Sequence, residues 1–182
     1  MKKIIIAVFA VAAIALAPKT FAQTKMVGGA AMYPTKNIIE NAVNSKDHTT
    51  LVAAVKAAGL VETLEGAGPF TVFAPTNEAF NKLPAGTVDN LLKPENKAML
   101  VKILTYHVVA GRLSAEDLVA KIKEGNGKAE LTTVQGGKLW AMMKGKKLYL
   151  VDEKGNKSWI TISDVNQSNG VIHVVNAVLM PN

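Results

Sequence analysis

The spacing of apolar residues changes once along this chain, at about Gly125. Before that position, apolar residues recur three or four positions apart, which predicts amphipathic helices beginning at about residues 35, 49, 94 and 114. After it, short apolar runs bounded by turn residues predict strands at 131–134, 139–143, 148–151, 159–162 and 171–175. Because helices come mostly first and strands mostly last, the sequence favours an α+β fold over an alternating parallel sheet.

The first residues have the layout of a cleavable secretory signal peptide. Lys2 and Lys3 form a basic region, an apolar stretch of 14 residues follows at 4–17, and Ala22 is a small residue before the expected cleavage. The stretch is shorter than the roughly 18 to 20 apolar residues that a membrane-spanning helix needs. We therefore expect a signal peptide at 1–22, no transmembrane anchor after cleavage, and a secreted or periplasmic location.

Cysteine is absent from the sequence. An exported chain without it cannot form disulfides, so burial of apolar side chains must stabilise the fold. The same absence excludes cysteine-based zinc sites, haem attachment through cysteine, thiol catalysis and a lipid anchor on cysteine. Residues 23–34 lack periodicity and are predicted to form a flexible leader, so the expected single domain spans 35–182.

The charge pattern argues against nucleic acid as a partner. The formal net charge of +7 falls to +4 once Lys2, Lys3 and Lys19 leave with the signal peptide, and Arg112 is the sole arginine. Nucleic-acid-binding proteins concentrate arginine and aromatic residues on one face, whereas dispersed lysine is typical of a solvated surface. Such a surface is attracted mildly to acidic polysaccharide or anionic lipid.

Three segments, in order, resemble the signatures of the fasciclin (FAS1) family. They are GPFTVFAPTNEAF at 68–80, LTYHVV at 104–109 and NGVIHVVNAVLMP at 169–181, and the resemblance extends over about 35–181. It implies a wedge-shaped β-sandwich with several short helices packed on it. It also implies a role in cell adhesion or matrix contact, and the bacterial members of this family are exported single-domain proteins.

Most of the first and third segments is expected to be structural. The run at 70–74 alternates like a strand with a buried face, and Thr76 or Asn77 can cap the next helix. The run at 171–175 is apolar on both faces, which predicts a central strand. The residues that we assign to this structural motif are Phe73, Pro75, Thr76, Asn77, Phe80, Asn169, Gly170 and His173.

Tyr106 and His107 are candidate partner-binding residues. The resemblance implies that this element takes part in adhesion. The alternative is that His107 is a buried histidine, because it continues the apolar stripe of the helix before it. A buried imidazole needs a hydrogen-bond partner, and Asn77 is a plausible one.

A lysine-rich turn and three aromatic residues are further binding candidates. Lys144, Lys146 and Lys147 flank a predicted hairpin turn and can meet an anionic polymer or phospholipid, although charged turns are usually only solvated. The aromatic residues can form a sugar-stacking strip or pack within the sheet, and they are Trp140, Tyr149 and Trp159.

Catalytic and metal sites are not predicted. The sequence contains no Gly-x-Ser-x-Gly motif, and its histidines lack the close spacing of metal ligands. The segment at 164–170 resembles the start of an EF-hand loop, but its glycine is one position late and Val175 stands where the loop needs a bidentate glutamate. We therefore expect no cofactor and no enzymatic activity.

The function expected from the sequence is that of an exported adhesion or interaction module. Its partner is expected to be a protein or polysaccharide at a cell surface or in a matrix. The alternative is a periplasmic ligand-binding or carrier protein with a small apolar pocket between helices and sheet, which the aliphatic composition permits.

Overall fold

The computed structural model describes residues 24–182, so the predicted signal peptide at 1–22 lies outside the described residues. These residues form seven helices, and two short 3₁₀ turns accompany them. The helices are Ile38–Ala42 (α1), Thr49–Ala58 (α2), Val61–Glu65 (α3), Asn77–Asn81 (α4), Thr87–Leu91 (α5), Lys97–Tyr106 (α6) and Ala115–Glu124 (α7). The strands are Lys25–Val27 (β1), Ala30–Met32 (β2), Phe70–Pro75 (β3), Val108–Ala110 (β4), Lys128–Thr132 (β5), Lys138–Lys144 (β6), Lys147–Val151 (β7), Lys157–Gln167 (β8) and Gly170–Val175 (β9).

The predicted α+β class is confirmed. Seven strands form one mixed sheet in the order β4-β3-β9-β8-β7-β6-β5. Two register shifts bend the long strand β8, whose first residues pair with β7 and whose later residues pair with β9. A bridge between Val109 and Thr133 brings the two outer strands together, so the sheet almost closes on itself.

The central strands β3 and β9 separate two hydrophobic cores. They pair in parallel, residue by residue, from Phe70 opposite Gly170 to Pro75 opposite Val175. The side chains of Val72, Ala74, Ile172 and Val174 pack with α1, α2, α4 and α6 on the helical side. On the other side Phe73 and Val175 pack with α7 and the inner face of the strands β5, β6 and β7. All six residues of β9 are buried, which confirms the prediction of a central last strand.

Capping motifs set the ends of several helices, including the cap predicted at Thr76. Asn37 and Glu40 form a capping box at the start of α1, and the Thr76 side chain accepts a hydrogen bond from the backbone of Ala79 in α4. Gly59 ends α2 with a φ of +74°, a left-handed conformation that favours glycine. The helix predicted to begin at Pro94 instead starts with a 3₁₀ turn, and α6 begins at Lys97.

The prediction of a flexible leader at 23–34 is wrong for its described residues. Strands β1 and β2 form a hairpin whose Val27 and Met32 side chains are buried in the helical-side core. Gly28 and Gly29 both have positive φ, as a tight hairpin turn requires. Three-residue strands are too short for apolar alternation to reveal them, and this explains the error.

None of the helices within residues 24–182 is both long enough and apolar enough to span a membrane.

Candidate interaction surface

The first signature segment serves the architecture. Phe73 is buried and stacks on the His173 ring at 5.7 Å, and Phe80 is buried in the helical-side core. Asn77 joins two helices, because its amide accepts from the Thr50 backbone at 3.0 Å and donates to the Lys46 carbonyl at 2.9 Å. Asn77 therefore does not pair with His107, and that part of our prediction is wrong.

Asn169 and Gly170, the signature residues at the turn before β9, are also structural. The Asn169 side chain accepts from the Ile38 backbone at 3.1 Å and donates to the carbonyls of Leu64 at 2.7 Å and Gly66 at 3.0 Å. It therefore links α1 and α3 to the sheet. A Cβ atom at Gly170 would lie 2.2 Å from the backbone oxygen of Phe70, so β3 approaches too closely for any side chain there.

His173 is a neutral structural histidine. Its Nε2 donates to the Leu113 carbonyl at 2.8 Å, and its Nδ1 accepts from the Asp164 backbone at 3.3 Å. Burial lowers the pKa of its imidazole, outweighing the Leu113 carbonyl and the Asp164 carboxylate, which raise it. Both ring nitrogens are thus committed to the backbone, and the side chain is 0% exposed.

Tyr106 lies inside the nearly closed sheet. Its side chain is 0% exposed, and its hydroxyl donates to the Lys138 carbonyl at 2.5 Å and accepts from the Glu153 backbone at 3.1 Å. Burial raises the pKa of this phenol to about 12, and the nearby carboxylates of Glu153 and Asp152 act in the same direction. The hydroxyl connects α6 to the start of β6 and to the loop that follows β7.

We expect Tyr106→Phe to lower the free energy of unfolding by about 2 kcal/mol, because the substitution removes one hydroxyl that satisfies two backbone groups. Urea unfolding monitored by circular dichroism measures the change. Tyr33→Phe is the matched control, since Tyr33 is 47% exposed and its hydroxyl should contribute little. Equal stability of both variants would contradict the assignment.

His107 connects the end of α6 to the C-terminal segment. Its Nδ1 donates to the Ile103 carbonyl at 2.9 Å, and its Nε2 accepts from the Leu179 backbone at 3.0 Å. The ring is 3% exposed, and burial lowers its pKa to about 4, although the Ile103 carbonyl and the Asp152 charge oppose the shift. The side chains of Tyr106 and His107 are therefore both buried and not exposed for contact with a partner.

Two acidic side chains, those of Asp152 and Asp164, are also held by backbone hydrogen bonds. The Asp152 carboxylate is 1% exposed and accepts hydrogen bonds from the backbones of Lys154, Asn156 and Met180. Asp164, in the segment that resembles an EF-hand, accepts from the Ala115 backbone at the start of α7. Within residues 24–182, no group of three or more His, Asp or Glu side chains is arranged to hold a metal ion.

The outer face of strands β5, β6, β7 and β8 differs from the buried segments above. Alternation places apolar side chains such as Leu139 and Leu150 inward, and polar and aromatic ones outward. The register aligns Lys128, Met142, Tyr149 and Trp159 in one cross-strand row, and Glu130, Trp140, Val151 and Lys157 in the next. We define the aromatic–lysine face as Lys128, Trp140, Tyr149, Lys157 and Trp159.

The side chains of this face form two groups of contacts. The Lys128 Nζ lies 4.3 Å from the centre of the Trp140 ring, and the Lys157 Nζ lies 5.7 Å from that of Tyr149. The Tyr149 and Trp159 ring centres are 4.9 Å apart, with an interplanar angle of 40°. All three rings are half-buried, so each one has an edge or face open to solvent. This arrangement presents flat apolar surfaces next to two lysines. The Glu130 carboxylate, which accepts from the Trp140 indole at 3.3 Å and pairs with Lys138, adds one negative charge to the same row.

The predicted lysine-rich turn adjoins this face. Lys144 and Lys147 are cross-strand partners, and Gly145 and Lys146 form the turn between them. All three lysines are exposed. A groove of about 930 Å³ runs beside the turn and is lined by Lys146, Lys147 and Trp159, among other residues. The structure therefore brings the two predicted binding features, the turn and the aromatic strip, to one region of the surface.

Sequence reasoning missed Lys128 and Lys157, the two lysines in contact with the rings. Each lysine lies at the first position of its strand, and the ring that it contacts lies on the neighbouring strand. The strand register brings the pairs together, and the register is not readable from the local sequence. The sequence offered one weak signal for these contacts, which is a lysine at the start of a strand that precedes or follows a strand with an aromatic residue.

Comparisons with known proteins agree on one family. The profile of the Fasciclin domain matches residues 46–181. Protein sll1483 of Synechocystis is 47% identical over 163 residues, which cover 90% of this chain and 83% of that protein. Immunogenic protein MPB70 of Mycobacterium bovis is 37% identical over 145 residues, covering 77% of this chain and 66% of that protein.

Two further similarities involve animal proteins. Transforming growth factor-beta-induced protein ig-h3 of Sus scrofa is 40% identical over 131 residues, which cover 72% of this chain but 17% of that protein. A solved FAS1 domain pair from the insect cell adhesion molecule fasciclin I has a TM-score of 0.56 at 22% identity, covering 71% of this chain and 43% of that chain. The second similarity concerns the fold alone.

Proposed function

The chain belongs to the fasciclin domain family, and on that premise we propose that it is an exported, non-catalytic interaction module that binds acidic polysaccharide through its aromatic–lysine face. Fasciclin domains are known from adhesion-related proteins, and the signal-peptide pattern at 1–22 supports export. The location is then secreted or periplasmic, and the partner lies at a cell surface or in a matrix.

One observation carries this proposal: three aromatic rings and two lysines lie on one solvent-facing sheet surface, and each lysine contacts a ring. An aromatic ring offers a flat apolar surface for the C–H face of a sugar ring. A lysine ammonium offers a mobile positive charge for a carboxylate or sulfate on the same polymer. Lys144, Lys146 and Lys147 extend the positive charge along the neighbouring turn. A repeating acidic polymer can therefore use both features at once, and multivalency adds strength.

Binding of an acidic polymer is expected to depend on the lysines of this turn and not only on the net charge of the protein. The combined change Lys144→Ala, Lys146→Ala and Lys147→Ala should weaken binding to heparin or alginate about tenfold at low salt, because each exposed ion pair contributes modestly. Added salt should reduce the difference, since it screens exposed charges. Isothermal titration at two salt concentrations measures both effects.

The matched control removes three exposed lysines elsewhere, through Lys93→Ala, Lys97→Ala and Lys123→Ala. The control has the same net charge as the turn variant, so only local charge distinguishes the two. An equal loss in both variants, or no binding of the native protein to either polymer, would overturn the proposal. Trp140→Thr and Tyr149→Thr probe the stacking contribution, and they should weaken binding even at high salt.

A second candidate function, that of a carrier for a small apolar molecule, is favoured by one separate observation. A cavity of about 80 Å³ lies between the helices and the sheet, and apolar side chains line most of it. This cavity is on the opposite side of the central strands from α7 and the core within the nearly closed sheet.

A further inference from the structure

The cavity between helices and sheet contains one unusual polar group. Its walls come from α1, α2, α3 and the strands β3 and β9, and they include Ile39, Leu51, Val55, Val72 and Ile172. Its outer side is formed by half-buried side chains, among them those of Val52, Leu60 and Val61, so it is not sealed by fully buried residues. Two histidines, His48 and His107, also line it.

His48 differs from the other two histidines in its hydrogen bonding. It is 3% exposed, and its Nδ1 lies 2.8 Å from the hydroxyl oxygen of Ser45. Its Nε2 is buried and forms no hydrogen bond of normal geometry within residues 24–182, although the Ala74 carbonyl lies close to the ring. His107 and His173, by contrast, use both ring nitrogens. A buried polar atom without a well-formed hydrogen bond destabilises a fold, and His48 is also one of the residues that line the cavity.

We propose that this cavity binds a small neutral molecule with an apolar body and one hydroxyl or carbonyl group, which hydrogen-bonds to Nε2 of His48. This inference rests on the carrier function above and assigns its ligand class and its polar anchor. The proposed site is separate from the aromatic–lysine face, because no residue of that face lines the cavity.

The chemistry of His48 selects the ligand class. Burial lowers the pKa of His48 more than the Ala74 backbone and the Asp47 carboxylate raise it, so the ring is uncharged at neutral pH. A ligand carboxylate would then lack a counter-charge in an apolar space, which disfavours fatty acids. The Ser45 hydroxyl can donate or accept, so either tautomer is available and Nε2 can meet a hydroxyl or a carbonyl.

The size of the cavity limits the ligand further. Its volume of about 80 Å³ is roughly half of the 150 Å³ engineered cavity that binds benzene in another protein. The enclosed part of the ligand therefore has about five non-hydrogen atoms. 1-Butanol and n-pentane are suitable probes, because they have the same shape and differ by a hydroxyl in place of a methyl group.

The test compares the two probes on the native protein and on His48→Leu by amide NMR titration. We expect both probes to shift resonances of cavity residues in the native protein. His48→Leu should lower the affinity for 1-butanol relative to that for n-pentane by about tenfold, the contribution of one hydrogen bond. The imidazole ¹⁵N resonance of Nε2 should move with 1-butanol and not with n-pentane, and this measurement needs no variant.

Each outcome is distinct. If neither probe binds, both the carrier function and this inference fail. If both bind but Nε2 does not respond and the affinity ratio is unchanged in His48→Leu, the carrier function stands and the His48 anchor is overturned. Binding of His48→Leu to acidic polysaccharide should equal that of the native protein, which keeps the test independent of the aromatic–lysine face.

Discussion

His107→Ala is expected to lower the free energy of unfolding by about 4 kcal/mol, the largest effect of any substitution considered for this fold. The imidazole satisfies the Ile103 carbonyl and the Leu179 backbone N–H, both of which would lose their partner in a buried place. Alanine would also leave a cavity where the ring packs, at the junction of α6, β3 and the C-terminal segment. A loss of packing and a loss of hydrogen bonding therefore act together.

Thermal unfolding monitored by circular dichroism measures this loss. For a domain of this size we expect the melting temperature to fall by about 10 °C. Met99→Ala is the control, because Met99 is on the same helix but is 50% exposed, and it should leave the melting temperature nearly unchanged. An unchanged melting temperature in His107→Ala, together with lost partner binding, would assign His107 to recognition instead.

Local signals in the sequence were sufficient to predict much of the fold. The capping residues Asn37, Thr76 and Ser114 each bond a backbone group only a few positions away, so their pattern is visible in a short window. Gly59 ends its helix for an equally local reason, since its own φ is positive. The apolar run at 171–175 revealed a central strand because both of its faces needed burial.

Features that depend on distant partners could not be predicted. The parallel pairing of β3 with β9 joins residues about 100 positions apart, and nothing in either strand specifies its neighbour. For the same reason His107 was assigned the wrong partner, because Leu179 contributes a backbone N–H that any residue other than proline would offer. The hairpin of β1 and β2 is held by burial of Val27 and Met32 against elements that follow it in the chain.

The candidate sites also differ in whether neighbouring or distant residues form them. Lys144, Lys146 and Lys147 were identified because they are neighbours in sequence around a turn. The contacts of Lys128 with Trp140 and of Lys157 with Tyr149 depend on strand register. A shift of one residue in a strand would move its side chains to the opposite face of the sheet and break these contacts. The sequence does not distinguish His48 from the other two histidines, all of which lack metal-ligand spacing. The buried Nε2 of His48 and the cavity beside it exist only in the folded chain.

Acidification from pH 7 to pH 5 is expected to destabilise the protein by about 2 kcal/mol through His107 alone. The pKa of His107 is about 4 in the folded state and 6.5 in the unfolded chain, so between these values the unfolded chain binds more protons. Stability is therefore complete above about pH 6.5 and falls as the pH drops toward 4. The pKa values of His48 and His173 are also lowered by burial, so both residues add to the loss in the same direction.

Urea unfolding at pH 7.5, 6.5, 5.5 and 4.5 gives this dependence, and His107→Gln isolates the contribution of one side chain. Glutamine keeps an amide that can donate and accept but cannot be protonated in this range, so the variant should be less stable at pH 7.5 yet lose less stability on acidification. The curves of the two proteins should therefore converge as the pH falls toward 5. Carboxylates with a lowered pKa, such as those of Asp117 and Glu153, also lose stabilisation as the pH falls below about 5. They do so equally in the native protein and in His107→Gln, so the difference between the two curves reports His107. Parallel curves for the native protein and His107→Gln would show that the His107 ring accepts a proton in the folded state as readily as in water. The assignment of His107 as a buried, neutral connector between α6 and Leu179 would then be wrong.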